Sequence, residues 1–459
     1  MPNLKTIQTK NATIVSVTVN AVGVDPIGFL RHSRSEKCGL WTKADSWIAH
    51  SGSLETLSCE GYDSGEDRFG NIRSQVQNLL ELTDSGSRPM RFHGGFSFDS
   101  NHEPQGVWEA FPPGLFHLPE LELEGGRRQS ARLRSRAVIS PGSMDLEQVR
   151  QDLLDKAESV CSILREKCKN NDVMKEEVDL RGREHFDRKL WESMIEKALR
   201  HIDERLLSKV VLARTQDFIF GGFVDPVEVV DRLWKANPGS HIFLLKSSGD
   251  SYFLGAAPEI VTSVSKGQFQ ATAVAGTAES GDDPKEQQIL AEGLLESTKD
   301  GIEHGITRDD ILTRLVPLVD EVDAQVSPHV LTLNQMQHLE TEIKAKLRRG
   351  IDALQVLQAL HPTPAVCGFP RKKAFEFISD AEPFKRGWYA GPVGWFDTDG
   401  DATFVPALRC AVVKGNSWRL FAGAGIVAGS DATLEWEETE VKFSPVSEAL
   451  MTNKVETGG

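Results

Sequence analysis

The feature that most constrains the fold of this chain is that its β-rich runs and its helical stretches come in blocks. Residues 1–125 carry short strand-like runs separated by turn clusters such as HSGSLE and GYDSGED. Further strand-like runs follow as SKVVLART, HIFLLKS, SYFLGAAPEIVTSV and FQATAVAGT. Blocks of strands with hairpin-like neighbours favour antiparallel pairing over a doubly wound parallel sheet. The sequence therefore predicts an α+β protein with large, mostly antiparallel β-sheets.

Apolar periodicity predicts helices over residues 144–170, 185–206, 284–322 and 339–360, with three more strand-like runs after them. The 459 residues suffice for one large domain or for two. A break at Ser140-Pro-Gly-Ser143 divides a β-rich part, residues 1–140, from residues 141–459. We expect both parts to pack into the same globule, with the chemistry in the second.

The charge balance disfavours nucleic acid as a partner, because 52 Lys and Arg face 67 Asp and Glu, a net charge of −15. An anionic substrate would need local cations. The six cysteines show no C-x-x-C spacing and are expected to be reduced core thiols. The first residues lack the pattern of a signal peptide, and no apolar run has the length of a membrane span. We therefore expect a cytoplasmic protein that does not bind membranes.

Two titratable residues within strand-like runs are candidates for acid–base chemistry. In SKVVLART, alternation places Lys209 on the face of Val211 and Ala213, where desolvation would lower its pKa and make it a possible general base. In SYFLGAAPEIVTSV, Glu259 shares an apolar face, which would raise its pKa and keep it protonated as an acid. A lysine reaching solvent from a strand end and a glutamate at a strand rim remain the ordinary alternatives.

Acidic residues at helical spacing are candidates for a metal site. Glu303 precedes His304 in a helical stretch, and Glu435 and Glu438 share the face of another. Carboxylates from two helices meeting at one point, with water and substrate oxygens, suit Mg²⁺. The alternative is that Ser430 or Asp431 caps a helix whose first turns favour acids. The pair of Glu438 and Lys442 is then an ordinary i,i+4 ion pair.

Four further features either could bind anions or have an ordinary structural explanation. In FVPALRCAVV, Arg409 shares a strand face with apolar residues and is either paired or available for a carboxylate. The glycines of LFAGAGIVAGS are expected in a turn whose backbone NH groups could hold a second carboxylate. A dinucleotide-binding loop is disfavoured because no βαβ unit follows. Tyr389 and His361 lie in apolar or Pro-rich runs and on their own indicate burial or a turn.

Taken in order, the segments resemble the chorismate-utilising enzymes, which include isochorismate synthases, salicylate synthases, anthranilate synthase large subunits and aminodeoxychorismate synthases. The resemblance covers residues 185–450 and rests on these blocks: SKVVLAR, GAAPE, AVAGT, the Glu-His pair, HPTPAVCGFP, RGWYAGPVGW, ALR, AGAGIV and EWEETEVK. It implies a two-sheet sandwich flanked by helices, of the anthranilate synthase component I type, with the active site between its halves.

The resemblance also implies a role for each matching residue. Lys209 would activate water for attack at C2 of chorismate, and Glu259 would protonate the departing C4 hydroxyl. Mg²⁺ would be held by Glu303 and Glu438 with Glu435 in support, next to Lys442. The residues expected to bind substrate or line its pocket are Gly276, Thr277, His361, Tyr389, Arg409, Gly423, Gly425 and Lys442.

Within the family, single positions favour isochorismate synthesis. Amidating relatives generally lack a lysine matching Lys209, and aminodeoxychorismate synthases often carry a lysine where this chain has Ala275. We therefore expect water as the nucleophile and no obligatory glutaminase subunit. FHGGFSFD at 92–99 favours the menaquinone-pathway type. Salicylate synthase and a noncatalytic chorismate-binding protein stay open as alternatives, as does the oligomeric state.

Cys367 and the pair Glu279-Ser280 depart from the usual family residues. These departures affect details of the pocket rather than the reaction.

Overall fold

The fold was analysed in a computed structural model of the chain. The structure describes residues 13–33, 35–59, 67–82, 89–127, 129–139, 145–168, 178–281, 283–333 and 336–451. The predicted boundary between residues 140 and 141 lies outside the described residues. The division therefore stays a prediction, although each of the two sheets described below takes strands from both sides of it.

The larger sheet has 12 strands within the described residues, and its neighbours pair antiparallel throughout. The strand order is β1-β8-β7-β3-β2-β11-β12-β21-β22-β10-β18, and β9 also pairs with β10. The strands of this sheet are β1 (Thr13–Asn20), β2 (Cys38–Lys43), β3 (Ser46–Ser51), β7 (Leu121–Gly126), β8 (Gln129–Ile139), β9 (Leu180–His185), β10 (Lys209–Phe220), β11 (His241–Ser248), β12 (Ser251–Ala257), β18 (Gly368–Phe369), β21 (Cys410–Lys414) and β22 (Ser417–Ile426).

The second sheet has 10 strands in the described part of the chain and is likewise antiparallel. Its order is β15-β17-β14-β13-β20-β19-β5-β6-β4, with β16 also on β17. The strands of this sheet are β4 (Glu55–Cys59), β5 (Arg91–Phe96), β6 (Gly114–Leu118), β13 (Thr262–Ser265), β14 (Gln268–Glu279), β15 (Val319–Ala324), β16 (His329–Thr332), β17 (Met336–Leu347), β19 (Pro392–Asp397) and β20 (Ala402–Pro406).

Helices pack against both sheets. They are α1 (Pro26–His32), α2 (Arg68–Leu82), α3 (Leu146–Cys168), α4 (Arg188–Asp203), α5 (Pro226–Ala236), α6 (Pro284–Glu296), α7 (Thr298–Leu315), α8 (Ala353–Leu360), α9 (Arg371–Ala381) and α10 (Ala432–Met451). Two of them carry the candidate metal ligands. Helix α7 begins after Ser297, whose hydroxyl accepts from the Asp300 NH, and α10 begins after Asp431, whose carboxylate accepts from the NH groups of Thr433 and Leu434.

The two sheets face each other across an apolar core. Val210, Leu212 and Phe243 of the larger sheet share one buried cluster with Val393 and Val405 of the second. This arrangement confirms the predicted α+β sandwich of two antiparallel sheets flanked by helices. No helix among the described residues is long and apolar enough to span a membrane. Cys38, Cys59, Cys161, Cys367 and Cys410 are buried and free, as expected of core thiols.

The helix predicted over 339–360 is wrong in its first half. Residues Met336–Leu347 form strand β17, and the helix there is only Ala353–Leu360. Leu339, Thr341 and Ile343 alternate with charged residues, and that period of two is the strand signal. The helix predicted over 284–322 is two helices that end at Leu315, after which a short 3₁₀ turn leads into strand β15.

Candidate active site

Lys209 begins strand β10 and is completely buried. Its Nζ lies 3.0 Å from Glu303 Oε1 of α7 and donates to Thr307 Oγ1 at 3.2 Å, one turn further along that helix. Burial by itself would raise the pKa of Glu303, but the positive charges of Lys209, Lys442 and Lys299 together outweigh it and the pKa is lowered. The lysine predicted from the strand pattern therefore faces the acidic helix and does not reach solvent.

Gly425 makes room for this pair. It lies in β22 directly opposite Val211 of β10, and a Cβ atom there would lie 2.0 Å from Glu303 Oε1 and 3.2 Å from Lys209 Cε. Gly423, two residues earlier on the same face, would place a Cβ 2.7 Å from the Tyr389 hydroxyl. The prediction of a glycine turn is wrong for these two, because both lie within the strand and only Gly429 follows it. Because these glycines have no Cβ atom, Glu303 and Tyr389 can lie directly against strand β22.

Glu259 is buried but does not lie within a strand. Strand β12 ends at Ala257 and β13 begins at Thr262, so Glu259 lies in the break after Pro258 and its predicted strand alternation is wrong. Burial raises the pKa of Glu259 to about 8, although the nearby charges of Lys209 and Arg409 oppose the shift. The predicted direction of the shift is confirmed, and the carboxyl is protonated at neutral pH.

Arg409 also lies in a break between strands, after β20 ends at Pro406 and before β21 begins at Cys410, so its predicted strand face is wrong. Its φ of +45° is in the left-handed region. The guanidinium is buried, and its Nη2 donates to Met336 Sδ at 2.8 Å and to His338 Nε2 at 3.1 Å. Both acceptors are neutral groups of strand β17.

The Gly276 and Thr277 backbone forms a bulge in β14 opposite β17, with Gly276 at a φ of +75°. The bulge carries the Gly276 carbonyl to His338 Nδ1 at 2.9 Å, and the Thr277 hydroxyl lies 3.3 Å from the same nitrogen. These two residues are thus joined to Arg409 through one imidazole.

Acidic side chains of α7 and α10 approach one another. Lys299 Nζ donates to Glu435 Oε1 at 2.5 Å, and Lys442 Nζ donates to Glu438 and to the Gly423 carbonyl at 3.0 Å. Burial and the neighbouring Glu438 charge raise the pKa of Glu435 to about 7. The helix spacing predicted for Glu435 and Glu438 is confirmed, and three lysines neutralise the acids of the two helices.

The carboxylates of α7 and α10 are candidate ligands for a divalent cation. Among the described residues no three acidic, imidazole or thiol groups are arranged closely enough to hold a metal as they stand. The available donors are carboxylate oxygens, which Mg²⁺ prefers, and the Glu438 charge acts on both Glu435 and Asp300. The carboxylate oxygens therefore fit Mg²⁺ as ligands. Lys209, Lys299 and Lys442 balance their negative charge in this structure.

Tyr389 is buried and stacks on Phe421, with ring centroids 5.1 Å apart. Its burial raises the pKa of the phenol, so the hydroxyl stays protonated and can donate. His361 contacts another part of the chain: its Nε2 is 3.1 Å from the Phe98 carbonyl, and its ring lies edge-on to the rings of Phe69 and Phe98. Its contacts join the end of α8 to the segment after β5 rather than to Lys209 or Arg409.

Comparison with protein families identifies the relatives of this chain. The model of a family described as "Chorismate binding enzyme" matches residues 3–451. The chain belongs to this family.

Individual members of the chorismate-binding family match over most of the chain. The salicylate biosynthesis isochorismate synthase of Pseudomonas aeruginosa is 33% identical over 86% of this chain and 81% of its own length. The isochorismate synthase MenF of Bacillus subtilis is 28% identical over 96% of this chain and 94% of its own. The solved structure of MenF, the menaquinone-specific isochorismate synthase from Escherichia coli, has a TM-score of 0.78 at 27% identity and covers 96% of this chain and 95% of that one.

Some groups of this candidate site were not identified from the sequence. Thr307, Lys299 and His338 touch the predicted residues, yet none was singled out. For Thr307 the signal was available, since it follows Glu303 by four residues and shares its helix face. His338 offered no such signal, because it lies just before the predicted helix and its partners are 62 and 71 residues away in sequence.

Proposed function

We propose that the chain is an isochorismate synthase that converts chorismate to isochorismate. The observation that carries the proposal is a buried lysine and a buried, protonated glutamic acid in one site. The charge of Lys209 acts on the pKa of Glu259, and burial keeps that pKa near 8. A base and an acid held in one site are what exchange of a hydroxyl between two ring carbons requires.

The proton balance follows from these two groups. Lys209 acts as the base and takes a proton from the water that attacks C2, and the new C2–O bond forms as the ring double bonds shift. Glu259 gives its proton to the C4 hydroxyl, which leaves as water. At the end Lys209 carries the extra proton and Glu259 is ionised, so a proton must return from one to the other before the next turnover.

The substrate carboxylates are bound by groups around the acid and base. Arg409 supplies a buried cation with neutral hydrogen-bond partners, and the Tyr389 hydroxyl lies beside Gly423. Mg²⁺ held by Glu303 and Glu438, with Glu435 in support, would supply charge that neutralises a substrate carboxylate. Lys442, hydrogen-bonded to Glu438 and to the Gly423 carbonyl, holds that acid beside the glycine strand.

We propose menaquinone biosynthesis as the pathway, since MenF relatives match the chain nearly end to end. We also propose that the enzyme works in the cytoplasm without a glutaminase subunit, because Lys209 serves water rather than ammonia. Neither nucleic acid nor a membrane is expected as a partner of a chain with a net charge of −15.

The test is a product assay on the purified full chain. Chorismate and Mg²⁺ are expected to yield isochorismate, separated by chromatography from salicylate and pyruvate, and a chelator is expected to abolish turnover. Lys209→Ala should remove activity, whereas Lys197→Ala, an exposed lysine of α4, should not. Salicylate as the first product, or full activity of Lys209→Ala, would contradict the proposal.

A further inference from the structure

His338 joins three parts of the site that are far apart in sequence. It lies on β17, opposite Thr277 of β14, and is 4% exposed. One ring nitrogen, Nδ1, faces the Gly276 carbonyl at 2.9 Å, and the other, Nε2, faces Arg409 Nη2 at 3.1 Å. The imidazole thus bridges the Gly276 bulge and the Arg409 guanidinium.

These two neighbours determine where the imidazole carries its proton. A backbone carbonyl can only accept a hydrogen bond, so Nδ1 must donate. A guanidinium can only donate, so Nε2 must present its lone pair. Burial, with the charges of Arg409 and Lys442, lowers the pKa of His338 to about 3, which agrees with a neutral ring.

A neutral acceptor suits an arginine that must bind an anion. In the described part of the chain the hydrogen-bond partners of the Arg409 guanidinium are the Met336 sulfur and His338. The charges of Glu438 and Glu259 influence the pKa of the Arg409 guanidinium electrostatically. A carboxylate at position 338 would orient the guanidinium equally well but would neutralise it. Histidine orients the guanidinium and leaves its charge for the ligand.

We propose that His338 is a positioning residue: its neutral imidazole, held by the Gly276 carbonyl, fixes the plane of the Arg409 guanidinium for a substrate carboxylate without neutralising it. The inference rests on the proposed function, because it takes Arg409 as a carboxylate-binding group. It assigns His338 no part in proton transfer to or from the reacting carbons.

The test compares two variants of nearly equal size, His338→Gln and His338→Glu. Glutamine keeps a neutral acceptor for Arg409, whereas glutamate places a negative charge on it. We expect His338→Gln to raise KM for chorismate modestly and to keep kcat within about threefold of wild type. His338→Glu should raise KM at least about tenfold above the glutamine variant, because its carboxylate competes with that of the substrate.

Equal KM values for the two variants would overturn the proposal, since a role in packing alone does not distinguish an amide from a carboxylate. A loss of kcat in both variants at unchanged KM would also overturn it, because that pattern indicates a group acting in the chemical step. Thermal unfolding and circular dichroism establish that each variant compared is folded. Wild-type turnover is measured first, so failure of the proposed function is seen separately.

A second measurement uses the wild-type protein and needs no turnover. With ¹⁵N-labelled histidine, the His338 signals are assigned by their loss in His338→Gln. If that variant does not fold, Arg409→Lys, which perturbs the Nε2 partner, identifies them by their shift. We expect a protonated Nδ1 and an unprotonated Nε2 from pH 5 to 9. A protonated Nε2 anywhere in that range would refute the proposed hydrogen-bond direction.

Discussion

Replacement of Gly425 by alanine adds one methyl group at the closest contact of the candidate site. The new Cβ would lie 2.0 Å from Glu303 Oε1 and 2.8 Å from Glu303 Cδ. Ordinary contact begins near 3.4 Å, so the carboxylate must retreat by roughly 1.4 Å. It cannot do so and keep its 3.0 Å contact with Lys209 Nζ. The substitution thus separates the acid of α7 from the lysine of β10.

The size of the effect follows from the burial of this pair. Overpacking of a buried position costs about 1–3 kcal/mol of stability, so the protein should still fold. A misplacement of about 1 Å at a reacting group costs on the order of 100-fold in rate. We therefore expect kcat/KM for isochorismate formation to fall by at least about 100-fold in Gly425→Ala, while the thermal transition shifts by only a few degrees.

The assay measures chorismate consumption and isochorismate formation at saturating Mg²⁺, with circular dichroism as the check of folding. The matched control is Gly301→Ala on α7, two residues before Glu303, where an added Cβ meets nothing within 4 Å. The control should retain activity and gain up to about 1 kcal/mol from helix propensity. If folded Gly425→Ala stays within about threefold of wild type, the argument from close approach is refuted.

Three further predictions concern single groups. The pH profile of kcat/KM should fall above a midpoint near pH 8, because the reaction needs Glu259 protonated and its carboxyl loses the proton there. Glu259→Gln should lower kcat by about 10²–10⁴-fold, and any remaining rate should no longer fall at alkaline pH. Tyr389→Phe should raise KM about fivefold, the value of one hydrogen bond of about 1 kcal/mol, and an unchanged KM would exclude the hydroxyl from substrate binding. Arg214→Met should destabilise the fold by about 2–3 kcal/mol in urea unfolding, because the buried guanidinium binds Thr439 and Glu440 of α10. The control Arg188→Met should cost under about 0.5 kcal/mol, because Arg188 of α4 is half-exposed where it lies over the Trp436 ring of α10.

Strands with a clear period of two could be predicted from the sequence, and large antiparallel sheets followed from their grouping. The two-sheet sandwich was predicted from the family resemblance. The error in β17 shows the limit of that reasoning. Its Glu, Lys and Ala residues are good helix formers, and most of the segment falls within the helix predicted over 339–360. Pairing with β14 along 11 positions overrides that propensity, and such pairing between distant segments is not visible in the segment itself.

Glu259 and Arg409 were predicted as site residues from structural arguments that are partly wrong. Glu259 and Arg409 were assigned to strand faces, yet each lies in a gap where the chain leaves one sheet. Pro258 and Pro406 were the available signals, since proline disfavours the interior of a paired strand. Leaving the strand lets a side chain point into the space between the sheets. The histidine bridge could not be predicted because it depends on the register of β14 against β17.

Strand β10 sets the relative position of the two acidic helices. Lys209 and Arg214 are five residues apart, so they point to opposite faces of the strand. Lys209 contacts Glu303 of α7. Arg214 donates to Thr439 of α10 at 2.6 Å, and its guanidinium lies 3.7 Å from the Trp436 ring centroid.

Because β10 pairs with β22 along ten positions, a shift by one residue would exchange these two faces. Lys209 would then leave α7 and Arg214 would leave α10. The sheet register therefore fixes which residues of β10 contact α7 and α10, and it contributes to the spacing of the carboxylates on the two helices. Lys209 and Arg214 thereby help to hold Asp300 and Glu303 of α7 near Glu435 and Glu438 of α10.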